Sequence, residues 1–320
     1  KMAVASSLAL RKKLEKDGKL LAFHDKICEG VSKGQYRLIN DEVEKEYIGL
    51  PQSFQLVNYV CKETSATTKI RVVSNSSVPR QGGSFNDLCV QGSSLLNSSL
   101  DVLNSFSCWG YSFLTDLSEA YRTVETGPVT NSCRRFCWFS DPLDPGSLKD
   151  YHLTVCTYGD RPAGNILAQS LDTVASDPQT PDVVAEFIKK GFYVDDAGRS
   201  ARTIAKLEEI IDGLGPAMGK YGFKIKHILR SYQANVSTGS TSTDSVEIIL
   251  GLLWSFLDDT LLPNFKVYLG KKRRGEHLDQ ILDLEVLART TFTMGGGGGG
   301  GGGLYDLSGR FLSPVQMKGR

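Results

Sequence analysis

Alternating apolar and polar residues predict several β-strands along the chain. Residues 54–61 (FQLVNYVC) and 69–74 (KIRVVS) flank a polar turn and predict a β-hairpin. Residues 109–116 (WGYSFLTD) predict a strand that ends in a carboxylate. Further strands are predicted at about 133–140, 151–158 and 222–230, and near 246–253 and 264–269.

Apolar residues at helical spacing predict helices between these strands. The pattern is clearest over 201–220, where Ile204, Leu207, Ile210, Ile211 and Leu214 recur on one face. Other helices are predicted at 5–17, within 19–50, at 94–106, after the Gly-rich start of 158–175, at 181–190 and at about 277–290.

Composition limits the class of protein without identifying it. With 320 residues, 40% of them hydrophobic and 23% charged, the chain is long enough for two or three cooperating subdomains. A net charge of +1 gives no global nucleic-acid signature, so such binding must come from local patches. The chain begins with Lys and ends with Arg, and we expect it to be a piece of a longer protein.

Cysteine usage and hydropathy predict an intracellular, soluble chain. The seven cysteines form no CxxC pair, which favours free thiols in a reducing compartment over a disulfide framework or a zinc site. No apolar run reaches the length of a membrane span, and the N-terminus has no apolar signal segment. Nine consecutive glycines at 295–303 are interpreted as a linker or placeholder without functional weight.

The segment 191–198 (GFYVDDAG) carries the most informative chemistry. Strand-forming residues precede Asp195 and Asp196, and Gly198 follows, so we predict a β-hairpin with the two carboxylates at its turn. Carboxylates at a hairpin turn can bind Mg²⁺ and leave room for phosphates. The alternative for an isolated Asp-Asp pair is an ordinary solvated turn.

A third carboxylate, Asp116, ends an earlier predicted strand. If that strand neighbours the acidic hairpin, Asp116 and Asp195 converge and can hold two cations for phosphoryl transfer. The sequence offers no competing HExxH, Walker lysine loop or GxSxG motif.

The ordered motifs KIRVV, FLTDLSEAY, TYGDRPAGN, FYVDD, GFKIKHI and LGLLW resemble those of reverse transcriptases, especially the BEL/Pao class of LTR retrotransposons. The resemblance covers about 45–320. It implies an α+β right-hand polymerase with fingers, a ferredoxin-like palm and a partial thumb or connection. The implied ranges are an N-terminal helical extension at 1–47, fingers at 48–115, palm at 116–245 with inserted fingers strands near 130–158, and primer-grip hairpin and thumb start at 246–320.

The resemblance implies roles for three aspartates and for Tyr121. Asp116 and Asp195 would be the main metal ligands, with Asp196 assisting. Tyr121 falls at the family's steric gate, whose ring excludes a ribose 2′-hydroxyl, and the alternative for this residue is ordinary core packing.

Further residues would contact the nucleotide and the primer. Lys69 and Arg71 match residues that contact the incoming triphosphate, unless they are simply an exposed basic strand. Tyr158 and Gly159 match a loop beside the nucleotide and template. Lys224, or alternatively Lys226, falls where the family can supply a general acid. The primer grip is matched by Leu250, Gly251 and Leu252, and 271–274 (KKRR) would lie toward the thumb or be a solvated loop.

Two positions depart from the family pattern and bear on the nucleotide site. Asn75 stands where related elements carry an aspartate, and the proline of the YGDRPAG loop is shifted. The expected activity is RNA-directed DNA synthesis from dNTPs with two Mg²⁺ ions, or Mn²⁺ as substitute. The expected partners are an RNA template, a DNA or RNA primer and the rest of a Gag-Pol-type polyprotein, in the cytoplasm or in virus-like particles.

Two other classes remain open at this point. A domesticated or particle-bound module could bind nucleic acid without copying it. An RNA-dependent RNA polymerase shares the palm, but Tyr121 argues against it because that enzyme must admit the ribose hydroxyl.

Overall fold

The computed structural model describes residues 2–61, 70–79, 83–233, 246–250, 252–255, 260–263 and 292–293. Helices and strands are mixed along these ranges. The helices are α1 (Met2–Lys16), α2 (Leu20–Ser32), α3 (Asp41–Lys45), α4 (Phe85–Leu88), α5 (Ser99–Ser107), α6 (Ala120–Thr123), α7 (Pro128–Ser132), α8 (Ala163–Ala175), α9 (Asp182–Gly191) and α10 (Ile204–Lys220).

The strands occupy both halves of the chain. They are β1 (Tyr36–Leu38), β2 (Leu56–Cys61), β3 (Ile70–Asn75), β4 (Tyr111–Ser118), β5 (Arg135–Phe139), β6 (Leu148–Leu153), β7 (Phe192–Tyr193), β8 (Asp196–Ala201), β9 (Lys224–Arg230), β10 (Val246–Ile249), β11 (Leu252–Ser255), β12 (Thr260–Pro263) and β13 (Phe292–Thr293).

The chain divides into two compact units that are interleaved in sequence. The first unit consists of Lys1–Leu96 and Glu119–Leu171, and the second of Asn97–Ser118 and the described residues from Asp172 onward. Both units combine helices with sheets, so the described part of the chain is α+β. The continuous domain ranges expected from the sequence stay predictions.

The first unit packs two helices against a small sheet. Strands β1, β6 and β5 form an antiparallel sheet, and β2 pairs with β3 as the hairpin predicted from the sequence. Helices α1 and α2 contribute to the core, where the Phe23 ring meets Trp138 edge to face with centroids 4.6 Å apart. All five residues of β5 are buried, which is typical of a strand covered on both faces.

The second unit is built on a four-stranded sheet with the order β7-β8-β4-β9. Phe113 of β4 lies against Phe187 of α9, with ring centroids 5.1 Å apart. The buried face of α10 repeats at helical spacing through Leu207, Ile210, Leu214 and Met218. Strands β10 to β13 form a separate antiparallel sheet in sequence order.

Several sequence expectations hold with shifted boundaries. The helix expected at 201–220 begins at Ile204, and the helix expected at 94–106 begins only at Ser99, because Ser98 caps it by accepting from the Asp101 N–H. The strand expected at 151–158 is wrong in its second half, since β6 ends at Leu153.

The strand expected at 246–253 is two strands, separated at Leu250, whose φ is +49°. The predicted strand at 264–269, the predicted helix at 277–290, the basic run at 271–274 and the glycines at 295–303 lie outside the described residues.

All seven cysteines fall in described segments, and none of them forms a disulfide there. Cys133, Cys137 and Cys156 are buried, whereas Cys28 and Cys108 are exposed. None of the helices in the described part of the chain is long and apolar enough to cross a lipid bilayer.

Candidate active site

The acidic segment forms a β-hairpin with a two-residue turn. Tyr193 pairs with Asp196 across β7 and β8, which leaves Val194 and Asp195 as the turn residues. Val194 has φ of +62°, a conformation that a β-branched residue adopts only at a cost in free energy. Glycine is favoured at this first turn position, so the hairpin stores strain next to its carboxylates.

Strand β4 brings the third carboxylate to this hairpin. It pairs antiparallel with β8, and the register sets Asp116 directly opposite Asp196. Residues directly opposite each other in an antiparallel pair share a face, so the two carboxylates are neighbours. The backbone N–H of Leu117 also donates to the carbonyl oxygen of Asp195, at 3.0 Å.

A β-bulge on the other side of β4 adds a cation. Asp116 pairs with His227 and Leu117 with Ile225, so Lys226 is the extra residue on β9. Its Nζ lies 2.7 Å from Oδ2 of Asp116. Lys224, two residues earlier, is exposed and pairs with Ser118. Of the two lysines considered from the sequence, Lys226 is therefore the one beside the aspartates.

Burial and neighbouring negative charge together determine the electrostatics of the site. Burial of Asp196, followed by the charges of Asp195 and Asp116, raises the pKa of Asp196 to about 6. A hydrogen bond from the Leu250 backbone and the charge of Lys226 oppose this rise in the pKa. The neighbouring carboxylates disfavour the ionised form of Asp196. A divalent cation would relieve this repulsion, so the site is well suited to bind one.

The described residues contain no group of three or more His, Cys, Asp or Glu side chains already arranged to hold a metal ion. Asp116 and Asp196 nevertheless supply hard oxygen donors side by side, with Asp195 adjacent in the turn. The donor chemistry fits a magnesium-type ion, while the Asp116 carboxylate is engaged by Lys226.

The expected primer-grip residues lie on the apolar core of the second unit. Leu250 and Leu252 are half-buried and pack against a cluster that includes Phe106 and Trp254. Gly251 lies outside the described residues. The hydrogen bond from the Leu250 backbone to Asp196 links this segment directly to the acidic pair.

The other expected nucleotide-binding residues lie in the first unit. Tyr121 is 8% exposed, and its ring meets the ring of Tyr158 edge to face at a centroid distance of 4.6 Å. Gly159 and Tyr158 are exposed in the loop before α8. Arg71 is exposed on β3, opposite Val60 of β2. Lys69 lies outside the described residues.

A network of side chains that sequence reasoning did not identify holds the turn before Tyr121. Glu119 has φ of +52° and its carboxylate accepts from Lys33 at 3.0 Å and from Gln35 at 3.2 Å. Arg122 donates to Gln35 and to the carbonyl oxygen of Val72. No sequence motif indicates these contacts, because they join residues at least fifty positions apart.

A buried ion pair lies just beyond Gly159 and was also missed. Arg134 and Asp160 are 2.6 Å apart, and their side chains are 0% and 4% exposed. Two charged residues fully buried in one unit are unusual, and the GDR sequence gave no indication of the pairing.

Comparison with solved structures finds this fold in a viral enzyme. A foamy viral protease–reverse transcriptase in complex with double-stranded DNA matches with a TM-score of 0.51 and 15% identity, over 81% of this chain and 38% of that chain. This chain therefore has a reverse transcriptase-like fold and spans about 38% of the foamy viral chain.

Two related structures match less well. Another complex of the foamy viral enzyme with double-stranded DNA gives a TM-score of 0.48 at 15% identity, over 72% of this chain and 39% of that one. The native prototype foamy virus enzyme gives 0.43 at 15% identity, over 62% and 22%. No family model matches the sequence, and no curated protein does either.

Proposed function

We propose that this chain is the polymerase region of a reverse transcriptase of the BEL/Pao class, extending a primer on an RNA or DNA template. The pairing of Asp116 with Asp196, beside Asp195 in a strained turn, carries this proposal. It is supported by the reverse transcriptase-like fold. The right-hand arrangement of fingers, palm and partial thumb is part of the same proposal.

Asp116 and Asp195, assisted by Asp196, would hold two Mg²⁺ ions, or Mn²⁺ as substitute. When bound, such ions activate the primer 3′-hydroxyl and stabilise the charge of the departing pyrophosphate. The chain's own contribution begins with Asp196, which retains a proton up to about pH 6 in the metal-free protein. Its negative charge thus becomes fully available near neutral pH.

Lys226 would act beside the phosphates. Its Nζ is held 2.7 Å from Asp116, on a side chain that is 47% exposed, so it can exchange partners with solvent or substrate. An ammonium group there can neutralise phosphate charge or donate a proton to the leaving group. Lys224 is the less suitable candidate for that role, since it pairs beyond the bulge.

Nucleotide selection would fall to the first unit. Tyr121 would exclude the ribose 2′-hydroxyl, with Tyr158 and Gly159 beside the base and Arg71 and Lys69 on the triphosphate. A buried ring braced by a second ring is suited to steric exclusion because it has little freedom to move aside.

The proposed partners are a template strand, a primer and dNTPs. The foamy viral structure holds double-stranded DNA, which supports a nucleic-acid duplex as ligand. With a net charge of +1, binding would depend on local Lys and Arg contacts with phosphates and would weaken with salt. The chain would work within a Gag-Pol-type polyprotein, in the cytoplasm or in virus-like particles.

Primer extension on poly(rA)/oligo(dT) with dTTP and Mg²⁺ tests the proposal. Wild type should extend the primer, and Asp195→Asn should lower the rate on the order of 10²–10³-fold, because one proposed metal ligand is lost. Asp212→Asn is the matched control, since it removes the same charge from an exposed position on α10.

Two results would redirect the assignment. Salt-sensitive binding of the hybrid without extension would favour a module that binds nucleic acid without copying it. Faster incorporation of UTP than of dTTP would favour an RNA-dependent RNA polymerase.

A further inference from the structure

The loop that carries Tyr158 and Gly159 is clamped by one buried amide. Asn86, which is 8% exposed, donates from Nδ2 to the carbonyl oxygen of Gly159 at 2.9 Å. Its Oδ1 accepts from the backbone N–H of Arg161 at 2.8 Å. A single side chain therefore holds the backbone on both sides of Asp160.

Asp160 fixes the same loop from inside the unit. Its Oδ2 accepts from Arg134 at 2.6 Å, and its Oδ1 accepts from the hydroxyl of Ser76 at 2.6 Å. Arg134 also donates to the hydroxyl of Thr126. A buried ion pair contributes little net stability because both charges lose their hydration, and its better-attested role is to specify one conformation.

Backbone contact leaves the loop little room to shift. A methyl group added at Gly159 would lie 2.8 Å from the carbonyl oxygen of Ser74. Glycine is therefore required sterically, since the loop backbone packs directly onto the end of β3.

Apolar packing around the loop is incomplete. A cavity of about 40 Å³ is lined by Tyr158, Gly159, Gln55 and Arg134, together with apolar side chains of β2 and β3. The buried atoms Oε1 of Gln55 and Nε of Arg134 have no hydrogen-bond partner among the described atoms. A volume of this size accommodates roughly two water molecules. The position of the loop therefore depends on its polar clamps.

The exposed end of the loop meets the candidate gate. Tyr158 is 60% exposed, and its ring meets the ring of Tyr121 edge to face. A displaced loop would weaken the edge-to-face contact that limits where the Tyr121 ring can lie.

We infer that the Arg134–Asp160 ion pair and Asn86 are positioning residues that fix Tyr158 against Tyr121, and thereby set the discrimination between deoxyribonucleotides and ribonucleotides. This inference rests on the proposed function. None of the three side chains contacts the nucleotide in this scheme. They act through the loop.

Two variants loosen the loop in different ways. The double variant Arg134→Gln/Asp160→Asn replaces both charges with neutral side chains of similar size, so that no single charge is left buried. Asn86→Ala removes the amide clamp and serves if the double variant does not fold. The matched control is Glu44→Gln, which breaks the 2.9 Å ion pair with the neighbouring Arg135 without touching the loop.

Two readouts separate positioning from a general loss of stability. Hydrogen exchange of the amides at 157–161 reports on the loop itself. The ratio of kcat/KM for dTTP to that for UTP, with kcat and KM resolved, reports on discrimination. We expect both loop variants to accelerate exchange and to lower the dTTP/UTP ratio at least tenfold, mainly through KM for dTTP and kcat for UTP. Glu44→Gln should leave both unchanged.

Three results would overturn the inference. One is unchanged exchange and an unchanged ratio in the loop variants, while wild type extends the primer. Another is an equal shift in Glu44→Gln, which would indicate nonspecific loosening. The third is absence of extension by wild type, which would overturn the proposed function as well and is thereby distinguished from the first two.

Discussion

Asp116 and Asp196 lie directly opposite each other on the adjacent antiparallel strands β4 and β8. Like charges in this position destabilise a sheet, and burial of Asp196 adds to the cost. The raised pKa of Asp196, about 6, expresses that cost in the metal-free protein. Lys226 offsets only part of it, from a bulge on the far side of β4.

Replacing Asp196 with Asn should stabilise the metal-free protein at neutral pH. The pKa of Asp196 is about 6 in the folded state against 3.8 normally, so ionisation opposes folding as pH rises from about 4 to 6. We expect Asp196→Asn to raise the free energy of unfolding by on the order of 1–2 kcal/mol at pH 7 and hardly at all at pH 3.5.

Denaturant unfolding in a chelator at both pH values measures this difference. Asp212→Asn, at an exposed site, is the control and should change stability by less than about 0.5 kcal/mol. An equal gain at pH 3.5 and pH 7 would show that ionisation of Asp196 is not the cause.

Lys226→Gln should strengthen binding of Mn²⁺ in the absence of nucleotide. The ammonium group occupies Oδ2 of Asp116, so a cation must displace it. A partly exposed ion pair contributes about 0.2–1 kcal/mol, and the dissociation constant should therefore fall by up to about fivefold.

Lys224→Gln is the control, because it removes the same charge from the same strand. It separates competition between Lys226 and the cation at Asp116 from the general effect of losing a positive charge. Titration calorimetry of both variants measures the effect. Equal dissociation constants for the two would contradict a specific competition at Asp116.

The strain at Val194 predicts that a Gly variant is more stable than an Ala variant there, which is the reverse of the order expected within a strand. At φ of +62°, Val194→Gly should be more stable than Val194→Ala by about 1 kcal/mol, because glycine accepts this conformation without steric cost. At Val57, which is half-buried in β2, the Ala variant should be more stable than the Gly variant by about 0.5–1 kcal/mol. Chemical denaturation of the Ala and Gly variants at both positions checks this order. If the Ala variant is the more stable one at both positions, the turn is unstrained.

Gly159→Ala should destabilise the protein by about 1–3 kcal/mol, since the new methyl group would lie 2.8 Å from the Ser74 carbonyl oxygen. Gly219→Ala, near the end of α10, meets no atom within 4 Å and should be neutral or stabilising by up to about 1 kcal/mol. Thermal unfolding distinguishes the two. A neutral Gly159→Ala would show that the loop can retreat from β3.

Local patterns predicted the acidic hairpin and the strand that carries Asp116. Strand-forming residues before an Asp-Asp pair and a nearby glycine predict a hairpin here, because turn chemistry is local. The predicted position of the turn is wrong by one residue, since Val194 and Asp195 form it and Asp196 begins β8. Whether these two strands are neighbours was left as a condition by the sequence, and the structure pairs β4 with β8. The helix of 204–220 was equally clear from its spacing.

The choice between Lys224 and Lys226 could not be made from the sequence. Both lie on one face of an alternating strand, and the bulge that selects Lys226 depends on pairing with β4, about 110 residues away. The Arg134–Asp160 ion pair could not be predicted from the sequence for a related reason, since burial of both charges results from tertiary packing. The roles assigned to the site residues stay predictions.

The order of synthesis bears on how the acidic sheet can form. Strand β4 lies between β8 and β9, and both are translated after it, β8 about 80 residues later. At 5–20 residues per second, β4 waits roughly 4–16 s for its first partner. By then residues 1–96 and 119–171 have all been made, so the first unit can complete its fold while the apolar residues of β4 have no sheet to join. During that interval β4 has no partner strand, and an unpaired apolar strand of this kind favours aggregation.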